Sequence, residues 1–478
     1  MKRIISDTFS EPRHIAITSA WLIGVFYLLW LFAPESTTIE QVETWTTIGV
    51  VGTLAYLALS TVMVHRTVVH TYTFFIACMA LFVGGRYIAH AMGFDPMAAE
   101  KWKSRMFGIN MWYFIIMDLG PKEALRLSLY IVTCLYAIHA GYMYALWKNP
   151  KENTQPVNLD WASSLKIPAI ILAVVSAIAF AISFPEAYRI VHSDGYTSMN
   201  QPGSDFTTRG TTAAQYGLLL ALGLAFASRT KWLSWCVLGL LAIYYIANLK
   251  IGVRGGIMGF ALLCVWLFHT QVRRIDRLAL IGLPILLVGL LMLASLGARN
   301  YYFSEHAAVL LPWFIDNQGY TALYIHFATQ MESYPAIAYF HSIFPAVPTI
   351  AALFGNSIPL DQLYFGQYLS KTVLLGDAYK TGQGMGWSLL ADFYAYTMWV
   401  PGLYLIAAAA FGAALSRLVS STNPLVFGAH VMLFVKIMLL PRTGLYSIIP
   451  FVIAYSGIVL ACYLFSRFMR RKAALSHI

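Results

Sequence analysis

Residues 167–184 read IPAIILAVVSAIAFAISF, a run without a charged side chain that ends at a proline. About 20 residues of helix cross a hydrocarbon core of roughly 30 Å, and within it only a helix or a closed barrel satisfies its own backbone. The run therefore reads as one transmembrane helix. Similar runs recur along the whole 478-residue chain, about twelve of them by this criterion. With 59% hydrophobic and 11% charged residues, the composition excludes an ordinary soluble globule, in which roughly a quarter of residues are charged. The expected fold is an all-α polytopic membrane protein with about 12 transmembrane helices and a large periplasmic loop between late helices. Residues 1–297 are expected to hold about nine spans and a turn-rich outer loop near 185–209. Residues 298–385 form the large loop with short helices, and 386–478 the last spans and a basic tail.

The formal net charge of +11 is gathered in short loops. Lys2/Arg3/Arg13, Arg229/Lys231, Arg273/Arg274/Arg277 and Arg467/Arg470/Arg471/Lys472 fall on alternate connections, so the positive-inside rule puts them and both termini in the cytoplasm. Nucleic-acid binding is then unnecessary to explain the charge. The first apolar run lacks a small-residue cleavage pattern and reads as an uncleaved span. All five cysteines lie inside apolar runs without a CxxC pair, which argues against a disulfide framework and a zinc site. Without a Walker motif or Asp-x-Asp, ATP-driven transport and metal-bound nucleotide-sugar chemistry lose support, and no cofactor is expected. The third span is read over about 71–90, the sixth and seventh as a hairpin through Arg229–Lys231, and 387–400 as one helical run.

The chemistry is sought in the loops on the outer side. Arg254 opens a span beside Gly255 and Gly256, where a helix amino terminus and a guanidinium suit a diphosphate. Gly255 and Gly259 equally suit helix packing, and Arg254 an interfacial anchor. Arg299 and Arg442 also lie just beyond outer span ends, and Lys436 sits one or two turns inside the last of these. Three arginines converging at one depth need an anion or carboxylates to balance them, and Lys436 adds to the set. Glu305, His306, His326 and His341 are candidates to accept a hydroxyl proton, His306 foremost because it follows Arg299 and adjoins Glu305. Ser388, Asp392 and Tyr396 are expected on one helical face, making Asp392 a further catalytic candidate or an arginine partner. Arg189, Tyr196, Arg209, His326 and Tyr394 are candidate glycan contacts. The many aromatic residues of 298–385 suit sugar rings or an interfacial helix alike.

Arg254-Gly255-Gly256, the large late loop, and the run from Gly384 to Tyr394, GMGWSLLADFY, resemble the Wzy-type polymerases of O-antigen and related repeat-unit polysaccharides. Asp392 stands where glutamate is commoner in that family. The resemblance implies a membrane-embedded, GT-C-like, inverting and metal-independent glycosyltransferase of the bacterial inner membrane. Its substrates would be polyprenyl-diphosphate-linked glycans at the periplasmic face, with a chain-length regulator and a flippase as partners. An O-antigen ligase-like transferase and a lipid-linked oligosaccharide flippase are the alternatives. No clear repeat relates the two halves, and the charged candidates lie at outer helix ends, which favours the enzyme.

Overall fold

A computed structural model describes residues 11–32, 39–94, 121–149, 159–194, 207–251, 253, 255–276, 282, 289, 307–374, 384–397, 400 and 402–475, all helical or irregular with no strand among them. In chain order the helices are α1 (Pro12–Leu31), α2 (Ile39–His65), α3 (Thr71–Phe82), α4 (Gly85–Ala91), α5 (Pro121–Lys148), α6 (Lys166–Asp194), α7 (Thr207–Ala227), α8 (Lys231–Lys250) and α9 (Gly255–Gln271). Then come the short helices α10 (Ala307–Gln318), α11 (Thr321–Gln330), α12 (Ala336–Ile343), α13 (Val347–Leu353), α14 (Leu360–Leu363), α15 (Phe365–Val373) and α16 (Leu389–Ala395). The chain closes with α17 (Leu403–Ser420), α18 (Pro424–Leu439) and α19 (Ile449–Leu475). Among the described residues nine helices are long and apolar enough to cross a membrane, or ten if the bent pair α3/α4 counts as one span. The twelve read from the sequence include 278–296, which lies outside the described residues except at two positions.

Polarity decides which helices are central. In lipid an apolar side chain gains nothing by hiding, whereas a polar one must find a partner, so the helices richest in polar groups turn inward. α5, with Ser128, Thr133, His139 and four tyrosines before Trp147, is mostly buried, while α6 and α19 expose most of their surface. His139 holds the bundle together by hydrogen bonds to Ser60 Oγ (2.9 Å) and Tyr72 Oη (3.1 Å), and His430 does so by one to Thr71 Oγ1 (3.0 Å). α5 and α17 pack closely because Gly141 and Gly412 face the opposite backbone. A Cβ on Gly412 would lie 2.8 Å from the Ile138 carbonyl carbon.

One end of the bundle collects the basic loops. Arg13 stands over the Trp147 ring at 5.5 Å, Lys166 over the Trp232 ring at 5.4 Å, and the Thr67 hydroxyl donates to Asp276. The opposite end carries a cap made from α10–α16. Its own core surrounds Trp387, which packs against Tyr334 and Phe365 with ring centroids 5.6 Å and 5.5 Å away.

Three expectations are corrected here. The third span is broken: α3 and α4 meet at a 70° bend at Gly84 and Gly85, and α4 swings out to pack against α10. Gly85 makes this possible, since a Cβ there would lie 3.0 Å from the Gly319 backbone. The fifth span does not stop at Pro185, because α6 runs through it to Asp194, as helices in lipid tolerate when neighbours cover the freed carbonyl. Among the described residues of 387–400 only Leu389–Ala395 are helical, with Ser388 as the N-cap accepting from Leu390 N at 3.3 Å.

Candidate functional site

The end of α18 and the turn after it hold two cations. Lys436 points from α18 toward α7, where its Nζ donates to Gln215 Oε1 at 3.2 Å and lies 5.2 Å and 5.4 Å from the Tyr216 and Phe451 ring centroids. Gln215 in turn donates through Nε2 to Tyr245 Oη at 3.2 Å. Beyond α18, Arg442 closes a 3₁₀ turn, donates through Nη1 to Gln318 Oε1 at 3.1 Å and stands 5.9 Å from the Phe82 ring centroid. Both cations are thus held by amide oxygens and ring faces, and among the described residues neither has a carboxylate within ion-pair distance. Arg86 at the same end differs, since it pairs with the buried Asp316 at 3.4 Å. A cation with neutral partners keeps its attraction for an anion, which a matched ion pair has largely spent.

The glycines after Arg254 lie against the same elements. A Cβ on Gly255 would touch Leu439 Cδ2 at 3.5 Å, and one on Gly259 would touch Val435 Cγ1 at 3.0 Å, so this face is a packing seam between α9 and α18. Gly256 meets the ring of Tyr245, the residue that holds Gln215 beside Lys436. Arg254, Arg299, Glu305, His306 and Tyr196 themselves lie outside the described residues, as does the side chain of Arg209.

Asp392 links the cap to the Arg442 turn. Its Oδ1 accepts from Trp387 Nε1 at 2.6 Å and its Oδ2 from the backbone N–H of Leu445. The carboxyl group is fully buried, and burial pushes it up to about 7 despite the two donors. Gly444 leaves room for it, since a Cβ there would lie 2.6 Å from Oδ2. Of its two expected neighbours, Ser388 caps α16 and Tyr396 is hydrogen-bonded at 2.6 Å to Ser342 Oγ.

Around this link the aromatic side chains form a continuous wall. Tyr364 packs edge-on to both Tyr446 (5.9 Å between centroids) and His341 (4.8 Å). His341 is buried with Nδ1 lacking a hydrogen bond, and burial lowers its pKa from the usual histidine range. His326 is likewise buried and lowered, on α11. Both are therefore neutral near pH 7 and able to accept a proton. Tyr394 is half-buried and packs edge-on to Tyr130, 6.3 Å between centroids. Arg189 pairs with Glu186 at 2.5 Å on the exposed face of α6. Gln215, Gln318 and Tyr446 were not singled out from the sequence. Their one signal was a polar residue in or beside an apolar run, which does not reveal its partner. No group of three His, Cys, Asp or Glu side chains gathers among the described residues.

These features define a polytopic helical membrane protein with a polar, cationic site under a helical cap at one end of its bundle. The chain belongs to the O-antigen polysaccharide polymerase Wzy family, whose family model matches residues 16–473. It is accordingly a repeat-unit polysaccharide polymerase, a glycosyltransferase-type enzyme embedded in a membrane. No curated protein and no solved structure matches the chain.

Proposed function

We propose that the enzyme transfers a growing glycan from polyprenyl diphosphate to a hydroxyl of the next lipid-linked repeat unit, with inversion at the anomeric carbon and without a metal ion. The observation that carries this reading is the pair Lys436 and Arg442, two cations with neutral partners at the rim of an apolar bundle. A diphosphate leaving group develops charge as its bond to the sugar breaks, and preorganised cations stabilise that charge most where water is scarce. Arg254 and Arg299 join them as further diphosphate ligands. The attacking hydroxyl gives its proton to a neutral histidine or a carboxylate. His306 with Glu305 holds that role in the sequence reading, and His341 is a described histidine that packs against the tyrosine wall. Asp392 acts here as a positioning residue, since both its oxygens are engaged in holding Trp387 and the 444–445 turn.

The cap faces the periplasm and the basic end the cytoplasm, a reading supported by Arg13, Lys148, Lys166 and Lys231 near one end and the cap at the other. The enzyme then sits in the bacterial inner membrane, where a flippase supplies its substrate and a chain-length regulator limits its product.

The test is polymerisation of purified lipid-linked repeat units by the protein in lipid nanodiscs with EDTA present. Polymer on the polyprenyl carrier, with the new linkage opposite in anomeric configuration to the donor, is the expected product. Absence of polymer, with transfer only to lipid A core when that acceptor is added, or loss of activity with EDTA, refutes the reading. His306→Ala is expected to lose most of the activity and His341→Ala a smaller share. Normal chain length from both would remove histidine from the proton transfer.

A further inference from the structure

We infer that residues 336–354 are immersed in the membrane leaflet on the cap side, as a short hairpin whose outer face meets lipid acyl chains and whose inner face walls the polar site. Between Glu332 and Asp361 the chain carries no acidic or basic side chain apart from His341. α12 and α13, of 8 and 7 residues, are each about 10–12 Å long, far too short to span a bilayer. A tight turn at Pro345 and Ala346, closed by the Val347 N–H on the Phe344 carbonyl at 3.2 Å, joins them.

Their two faces differ sharply. Ala338, His341 and Ser342 are buried, with His341 against Tyr364 and Ser342 hydrogen-bonded to Tyr396. On the other side Phe340, Phe344, Leu353 and Phe354 are 62%, 53%, 80% and 78% exposed. Phe340 and Phe344 stack at 5.7 Å between centroids, and an exposed apolar surface of this kind marks an interaction site rather than a water-facing one. Its occupant follows from its neighbours. α12 packs against α19 and the turn that precedes it, and the early α19 residues Val452 and Ile453 are exposed and apolar as well. α19 is a membrane span by length and composition, so the hairpin continues its lipid-facing flank. Charge resumes just past the hairpin, where Asp361 pairs with Lys371 at 2.8 Å. On the polymerase reading, the polyprenyl tail of a substrate bound at Lys436 passes this wall, but the immersion does not depend on that reading.

Two measurements test it, both independent of polymerisation. The wild-type protein in nanodiscs containing a lipid with a photoactivatable acyl chain is irradiated and digested, and adducts are located by mass spectrometry; adducts on Phe344, Leu353 or Phe354 are expected. Single cysteines replacing Leu353, Phe354 and, as a control, Glu332, in a variant lacking the five native cysteines, carry a nitroxide. The labels at 353 and 354 should collide with oxygen and be protected from a water-soluble nickel chelate at least several-fold better than the label at 332. Chelate access equal to that at 332 overturns the proposal. Protection from both reagents, with no lipid adduct, also overturns it, because protein then covers the patch.

Discussion

Replacing Lys436 by methionine keeps the length and apolar packing of the side chain and removes only its charge and donors. In the folded protein the lost contacts are the bond to Gln215 at 3.2 Å and the ring contacts to Tyr216 and Phe451. Gln215 keeps its bond to Tyr245, and an ammonium with no carboxylate beside it is removed from a poorly hydrated place. The loss of one bond, about 1–3 kcal/mol when it leaves a buried acceptor unpaired, is thus offset by relief of the desolvated cation. The variant is expected to insert and unfold thermally much as the wild type does. Its catalysis should not be spared. A charge-assisted bond to the departing diphosphate is worth about 1.5–3 kcal/mol, so kcat/KM should fall roughly 10- to 150-fold. Lys436→Arg, which keeps a cation at a slightly different reach, should retain part of the rate. Initial rates with lipid-linked repeat units in nanodiscs, beside thermal unfolding of the same preparations, make the measurement. A methionine variant that polymerises within about twofold of wild type would mean that Lys436 only anchors α18 to α7, and the diphosphate assignment would fail with it.

Arg442→Lys should cost about tenfold in the same assay without lowering thermal stability, since the side chain is exposed and a point charge cannot reproduce the guanidinium fork; an unchanged rate would make it an interface anchor. Because burial raises the Asp392 carboxyl to about 7, the folded protein binds a proton there that the unfolded chain has released above about pH 4. Stability should therefore fall as pH rises from about 4 to about 7 and then level off, and Asp392→Asn should flatten that slope while loosening the 444–445 turn. A rising slope in unfolding measurements over this window would contradict the assignment. Gly412→Leu should destabilise the bundle by at least about 1–3 kcal/mol, because its side chain would press on the α5 backbone at Ile138. Gly239→Leu, with open space around it, serves as the neutral control in detergent-solubilised thermal unfolding.

What the sequence by itself determined is whatever depends on local composition. Apolar length marked 167–184 as helix, and α6 covers all of it, since a segment must satisfy its own backbone in lipid whatever packs beside it. The Arg229–Lys231 hairpin was legible for the same reason. Helical period alone also put Ser388, Asp392 and Tyr396 on one face, and the backbone bonds from Asp392 N to Ser388 O and from Tyr396 N to Asp392 O keep that register, but their parts as a cap, a tether and a C-terminal end were not legible in it. The partners were decided only by tertiary structure. Asp392 meets the N–H of a residue 53 positions away, Lys436 an amide 221 positions away and Arg442 one 124 positions away, and no local pattern encodes such a pairing. The bend between α3 and α4 is of the same kind, because two glycines permit a break and it is α10, packed against Gly85 through Gly319, that uses it.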